Sequence, residues 1–322
     1  MGVLYYTIQN LYPRFNSALK NIHMLGIFKT TDLKKYGFDK ILEPFMEELH
    51  QLESPQGIEI TLCDGQVVNR RGTLVQTPAD NLGANCISGL VESFTANHPC
   101  RTCVTRRADF QECFSDDQCE LRTKENYELN VQMLLEEPAS VAAHGIKKEC
   151  VLNESRFFHV TEIYCPDIMH DILEGVGKLE CKLMLHQFIS NDKYFPLELL
   201  NRRIGSFHYG FEDQKNRPAT IAAGPLANRD ITLKNSASQM WCLLHYLPLL
   251  IGDKIPRENR HLELFLLLRR IMDIVFAREV TVRMVCHLQQ FIADHHHLFN
   301  VLYPDASLTP KHHFMVHYPR AI

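Results

Sequence analysis

The sequence predicts an α+β protein in which a short mixed segment of strands and one helix is followed, and interrupted, by a large, mainly α-helical region. Three observations carry that expectation. Runs of β-forming residues cluster before Asp80, and apolar residues at 3.6-type spacing dominate the chain from about residue 84 onward. A zinc-type ligand set is also split, with a CxxC at Cys100 and Cys103 and an HxxxH at His313 and His317. At 322 residues the chain has room for one large domain or two smaller ones.

The first strand is expected at Val3–Ile8, which is rich in β-formers and has no lead-in. A turn around Tyr12–Phe15 separates it from a second strand at Ile22–Phe28. A helix begins near Thr31, with Asp32 in its first turn and Ile41, Leu42, Phe45, Met46, Leu49 and Leu52 recurring at helical spacing. Gly57–Leu62 and Gly72–Gln76 read as a further strand pair around the turn at Asp64-Gly65. The order β, β, α, β, β closes near Asp80, and a strand opening so abruptly implies a missing partner upstream. Helical periodicity then marks 125–136, 168–190, 236–251, 261–277 and 281–299, whereas 200–235 is polar and irregular and reads as a loop or linker. In the fourth of these helices Leu262, Phe265, Leu266, Ile271, Met272 and Val275 belong on one buried face. Trp241, the only tryptophan, reads as core packing.

Composition narrows the function classes. Net charge is −4 and the pI about 6.5, so no global basic excess argues for non-specific nucleic-acid binding. A DNA contact would have to come from local patches such as Arg106-Arg107 or Arg202-Arg203. No stretch reaches the roughly 18 apolar residues that span a bilayer, and the opening residues lack the basic n-region and long apolar h-region expected of a signal peptide. Eleven cysteines without a secretion signal then read as reduced thiols, some of them metal-bound, in a protein of the cytosol or nucleus.

Structural zinc takes four N/S ligands, so neither half of the split set closes a site alone. CxxC lets two adjacent thiolates share a tetrahedral ion. Pro310 fits the first turn of a helix that would put His313 and His317 on one face at i, i+4, with His312 the neighbouring alternative. A competing local set, C-x2-C-x9-C-x5-C, runs through Cys100, Cys103, Cys113 and Cys119. Two further places carry candidate chemistry. Asp167 and His170, at i, i+3 in Cys165-Pro-Asp-Ile-Met-His170, could flank a metal-bound phosphate or simply cap and pack a helix. Asp80, just after the last strand segment, could hold one of two Mg²⁺ ions in a phosphoryl-transfer site or serve as ordinary turn chemistry.

Taken together, five motifs resemble eukaryotic cut-and-paste transposases of the CACTA (EnSpm-like) type. They are the opening Leu4–Pro13 segment, Gly72–Gln76 with Asp80-Asn-Leu-Gly, Glu92–Cys103, Pro166–Gly175 and Lys311–Pro319. The resemblance implies an RNase H-like core bearing a DDE triad and interrupted by a helical insertion before the last acid. In that family, and in the related recombination-activating recombinase of vertebrate immunity, a CxxC follows the second aspartate by roughly twenty residues. An HxxxH or HxxxxH precedes the final glutamate. By that likeness Asp80 is the second catalytic aspartate, and Asp167 with His170 matches a [C/D]xxH signature. Cys100, Cys103, His313 and His317 are then the structural zinc ligands, with Mg²⁺ in the ancestral active site.

The implied organisation is a partial RNase H-like core over 1–95, a helical insertion over 96–310 that begins with the CxxC, and the start of a returning core helix over 311–322. The first aspartate and the last glutamate find no counterpart in this sequence, so catalysis by this chain is expected to be incomplete. DNA is the ancestral partner, a homo-oligomer supplying an acid in trans is an open arrangement, and no membrane is involved. The alternative is a zinc-stabilised, non-catalytic binding or interaction module of the same descent.

Overall fold

The first β-run forms strand β1 (Gly2–Tyr6), which pairs antiparallel with β2 (His23–Phe28) in the computed structural model of the chain, which describes residues 1–16, 18–162, 165–228 and 232–322. The register shifts between Leu4 and Tyr5, a local bulge in the ribbon. Helix α1 (Thr30–Glu53) follows and is interrupted at Gly37, whose φ of 75° only glycine adopts readily. Beyond that break Phe38, Leu42, Met46 and Leu49 bury one face, the i, i+4, i+8, i+11 spacing of an amphipathic helix. The helix ends on a buried carboxylate. Glu53 accepts from Thr73 Oγ1 at 2.5 Å, Ser155 Oγ at 2.6 Å and Arg156 N at 2.8 Å. Burial pushes its pKa up, but these three donors outweigh it and hold the group below the usual carboxylate range.

The second ribbon is β3 (Ile58–Thr61) against β4 (Val67–Arg70), with Asp64-Gly65 at its turn. The strand expected at Gly72–Gln76 is therefore displaced. Once Thr61 pairs with Val67, the turn itself dictates that the residues just after it form the ladder. Residues 72–76 form no strand, and Gly72 N donates to Leu52 O. Both sheets are two-stranded and antiparallel, so α+β holds while no mixed sheet forms among the described residues. Helix α2 (Asn81–Ile87) and helix α3 (Lys124–Glu136) follow, the latter started by a reciprocal Thr123–Asn126 capping box.

Of the remaining long helices, all but the one at Leu197–Ser206 lie where the apolar period places them. Wide, π-type turns over Met169–Val176 run directly into α4 (Gly177–His186). Then come α5 (Leu197–Ser206), α6 (Ala237–Ile251), α7 (Arg260–Val275), α8 (Val282–Leu302) and the short α9 (Pro310–Met315). The expectation of a loop over 200–235 fails at its start. Leu200 and Ile204 are buried at i, i+4 on α5, a pair too sparse to stand out in a polar stretch. Helix α6 is the apolar centre, with Met240, Leu243, Leu244, Leu247 and Leu250 buried, each worth roughly 1.5–3 kcal/mol of transfer free energy. In α7 the buried face is Leu264, Phe265, Leu267, Leu268, Ile271, Met272, Ile274 and Val275, while Leu266 is exposed. Trp241 packs partly buried, edge-on to Phe276 at 4.8 Å between ring centroids.

The chain divides into two compact units, Met1–Glu92 with Arg122–Cys165, and Ser93–Leu121 with Pro166–Ile322. These units cut across the linear division at 95 and 310. Residues 122–165 group with the first 92, and the CxxC segment groups with the helices and with 311–322. No described helix is long and apolar enough to cross a membrane.

Candidate metal centre

Within the helical unit, the loop before α3 and the end of the chain meet. Cys100 and Cys103 sit on a tight turn in which Thr102 N donates to Cys100 Sγ at 3.4 Å, an amide contact that favours thiolate. A bridge between Cys103 and Leu121 and the bond from Val104 N to Glu120 O fix this turn from behind. Pro310 opens α9, Thr309 caps it, and His313 projects from its fourth position. The helix ends at Met315, so His317 stands just beyond it on a residue with φ −90° and ψ −4°. The pair still converges, with ring centroids 5.1 Å apart.

Cys100, Cys103, His313 and His317 bring one ligand atom each to within 4.8 Å of one another, and all four are at most 1% exposed. Cys103 Sγ lies 3.1 Å from His313 Nε2. Cys100 reaches both imidazoles. Burial pushes the His317 imidazole down, but Cys100 and Asp116 outweigh it and lift its pKa to about 9. His313 is likewise raised by Cys100 and Cys103 against its burial. The Cys100, Cys103 and Asp116 groups that raise the two imidazoles make this pocket electronegative, which suits a bound cation. The residues therefore form a buried Cys₂His₂ group able to hold a metal ion, and its donor chemistry fits zinc.

Each histidine is oriented differently. Asp116 Oδ1 accepts from His317 Nδ1 at 2.5 Å, and Asp116 Oδ2 is held by Arg320 at 2.6 and 2.8 Å. His313 lies flat on Phe110, centroids 3.8 Å apart and planes 4° from parallel, while its Nδ1 has no hydrogen-bond partner among the described residues. Asp116, Arg320 and Phe110 escaped the sequence reading, because nothing local distinguishes them from a polar loop and an ordinary core aromatic.

The choice between His312 and His313 is decided by a second buried cluster. His312 Nε2 meets Glu180 Oε1 at 3.1 Å, and His295 Nε2 meets Glu180 Oε2 at 2.9 Å. Burial pushes the Glu180 carboxyl up, but the two imidazoles outweigh it and hold it at about 2. His296, pushed well below its ordinary value by burial, bonds His312 O at 2.8 Å. His312 thus belongs to the polar network that seats α9 on α4 and α8.

Cys113 and Cys119 form a second group that shares His313 with the first, all three ligand atoms within 4.8 Å; their sulfurs are 2.7 Å apart, and Cys119 also reaches Cys103. Asp167 and His170 do come together, His170 Nδ1 standing 2.9 Å from Asp167 Oδ1, and the same oxygen accepts from His170 N at 3.2 Å. That is the capping geometry. Asp80 lies in the other unit, exposed, at the N-cap of α2, its Oδ1 accepting from Gly83 N at 2.7 Å. Within its unit it joins no cluster of three metal-capable groups among the described residues. No protein-family profile, curated protein or solved structure matches the chain.

Proposed function

We propose that this chain is a zinc-stabilised protein of CACTA-transposase descent, in which the ion organises the fold of the helical unit and does no chemistry. The observation that carries the reading is the closed ligand set. Structural zinc has four protein ligands and catalytic zinc keeps one position open for water. Here four N/S donors converge and all are buried. Cys100, Cys103, His313 and His317 would hold the ion, and Asp116 would hold the His317 ring in the tautomer that presents Nε2. The transposase descent, with its RNase H-like core, rests on the ordered motif set from Leu4 to Pro319. It makes DNA the partner class to test first. Mg²⁺-dependent strand cleavage needs several convergent carboxylates, and Asp80 spends an oxygen on its own helix.

Purified chain should contain about one zinc, lost on Cys100→Ser and equally on His317→Ala. Zinc retained after the histidine substitution would overturn the split site. Incubation with supercoiled DNA and Mg²⁺ should leave the DNA intact; cleavage that disappears in Asp80→Asn would sink the non-catalytic reading.

A further inference from the structure

Cys113 and Cys119 are not needed to complete the four-ligand set, yet their sulfurs lie 2.7 Å apart. A disulfide bond is about 2.05 Å long, so less than an ångström of closure separates the pair from a covalent link. Two thiolates on one zinc at about 2.3 Å would instead stand nearly 4 Å apart in tetrahedral geometry, which would require this pair to open. The backbone between them is already set. Phe114 N and Ser115 N both donate to Gln118 Oε1 (2.7 and 3.0 Å), and Cys119 N donates to Asp116 O at 3.0 Å. At the apex of that loop sits Asp116, bonded to His317 Nδ1 on one oxygen and to Arg320 on the other.

We propose that Cys113 and Cys119 are a reversible dithiol–disulfide site, oxidised by low-molecular-weight disulfides, whose closure clasps the loop that holds Asp116 against His317. In the first step the Cys119 thiolate attacks one sulfur of R–S–S–R. A mixed disulfide forms, the original S–S bond breaks, and the departing thiolate takes up the proton Cys119 released. In the second, the Cys113 thiolate attacks the Cys119 sulfur and expels the second R–S⁻, which is protonated in turn. Two protein thiols are oxidised and one R–S–S–R is reduced to two R–SH. Cys113 is buried and Cys119 half-buried, which leaves the second as the point of entry.

The disulfide stands independently of any ion; only its effect on metal release rests on the proposed zinc site. Trypsin places both cysteines on one peptide, residues 108–122, with no other cysteine in it. The full-length chain, equilibrated in glutathione/glutathione-disulfide mixtures and then alkylated, should yield that peptide lacking two hydrogens and unalkylated in oxidising mixtures. In reducing mixtures it should be doubly alkylated. Double alkylation throughout overturns the proposal. So does a peptide that resists both reagents until a chelator is added, because Cys113 and Cys119 would then be metal ligands. For the clasp, the oxidised protein should lose zinc to a colorimetric chelator on the order of tenfold more slowly than the reduced protein. Equal rates would leave the disulfide standing and remove the clasp.

Discussion

His317 shows how much one imidazole depends on its neighbours. Its ring is buried, its Nδ1 is held by Asp116, and Asp116 is in turn fixed by Arg320. A carboxylate behind a ligating histidine sets the tautomer and raises ligand basicity, and removing such a partner typically weakens metal binding about 10–100-fold. Asp116→Ala should therefore lower zinc affinity by about that factor in a chelator competition, with Cys100 and Cys103 unchanged. An unaltered affinity would show that the carboxylate only anchors the C-terminus. His312 and His313, adjacent in sequence, have opposite fates. The first is spent on Glu180 and the second faces the thiolates. Ligand spacing is a local property, so the four members of this metal-capable group could be read from the chain. Which of two neighbouring histidines turns inward depends on what stands opposite, and that is set by α4 and by the thiol loop.

Among the elements, the helices of the second unit were the most legible, because 3.6-residue periodicity persists over many turns. Short strands were less so. β4 fell five to six residues earlier than expected because hairpin register follows the turn rather than the most β-prone run. Leu266 escaped the buried face of α7 for a related reason: the apolar run is continuous there, and only the packing partner selects which side is inward. The junction of the π-type segment with α4 depends on close approach. A Cβ on Gly177 would lie 2.6 Å from Leu244 Cδ1 and 2.8 Å from Ile172 O. Gly177→Ala gains helix propensity, about 1 kcal/mol in an exposed site, yet it should destabilise the protein by roughly 1–3 kcal/mol through overpacking. Denaturant unfolding measures the sign, and a more stable variant would mean that α6 shifts freely.

For the chain as a whole, the candidate metal site joins segments about 210 residues apart, between Cys103 and His313. Binding free energy at a structural zinc site is folding free energy, roughly 10–16 kcal/mol in small zinc peptides, against a typical stability of about 5–15 kcal/mol for a whole domain. Stripping the ion with a strong chelator should therefore lower the melting temperature by at least about 10 °C, since each kcal/mol moves a domain of this size by roughly 2–4 °C. Added zinc should restore it. A melting curve unmoved by chelation would mean that the core of α4, α6 and α7 holds the unit unaided. Periodicity and short ligand motifs were enough to read, from the chain alone, an α+β protein with long helices in its second part and a Cys₂His₂ set split across them. Both are patterns that neighbouring residues carry. Tertiary structure decided which histidine joins the thiolates, what orients it, that Cys113 and Cys119 meet sulfur to sulfur beside His313, and that residues 122–165 group with the N-terminal segment. Each of these turns on side chains distant in sequence meeting in space, where burial and hydrogen-bond satisfaction select one arrangement from several that the spacing allows.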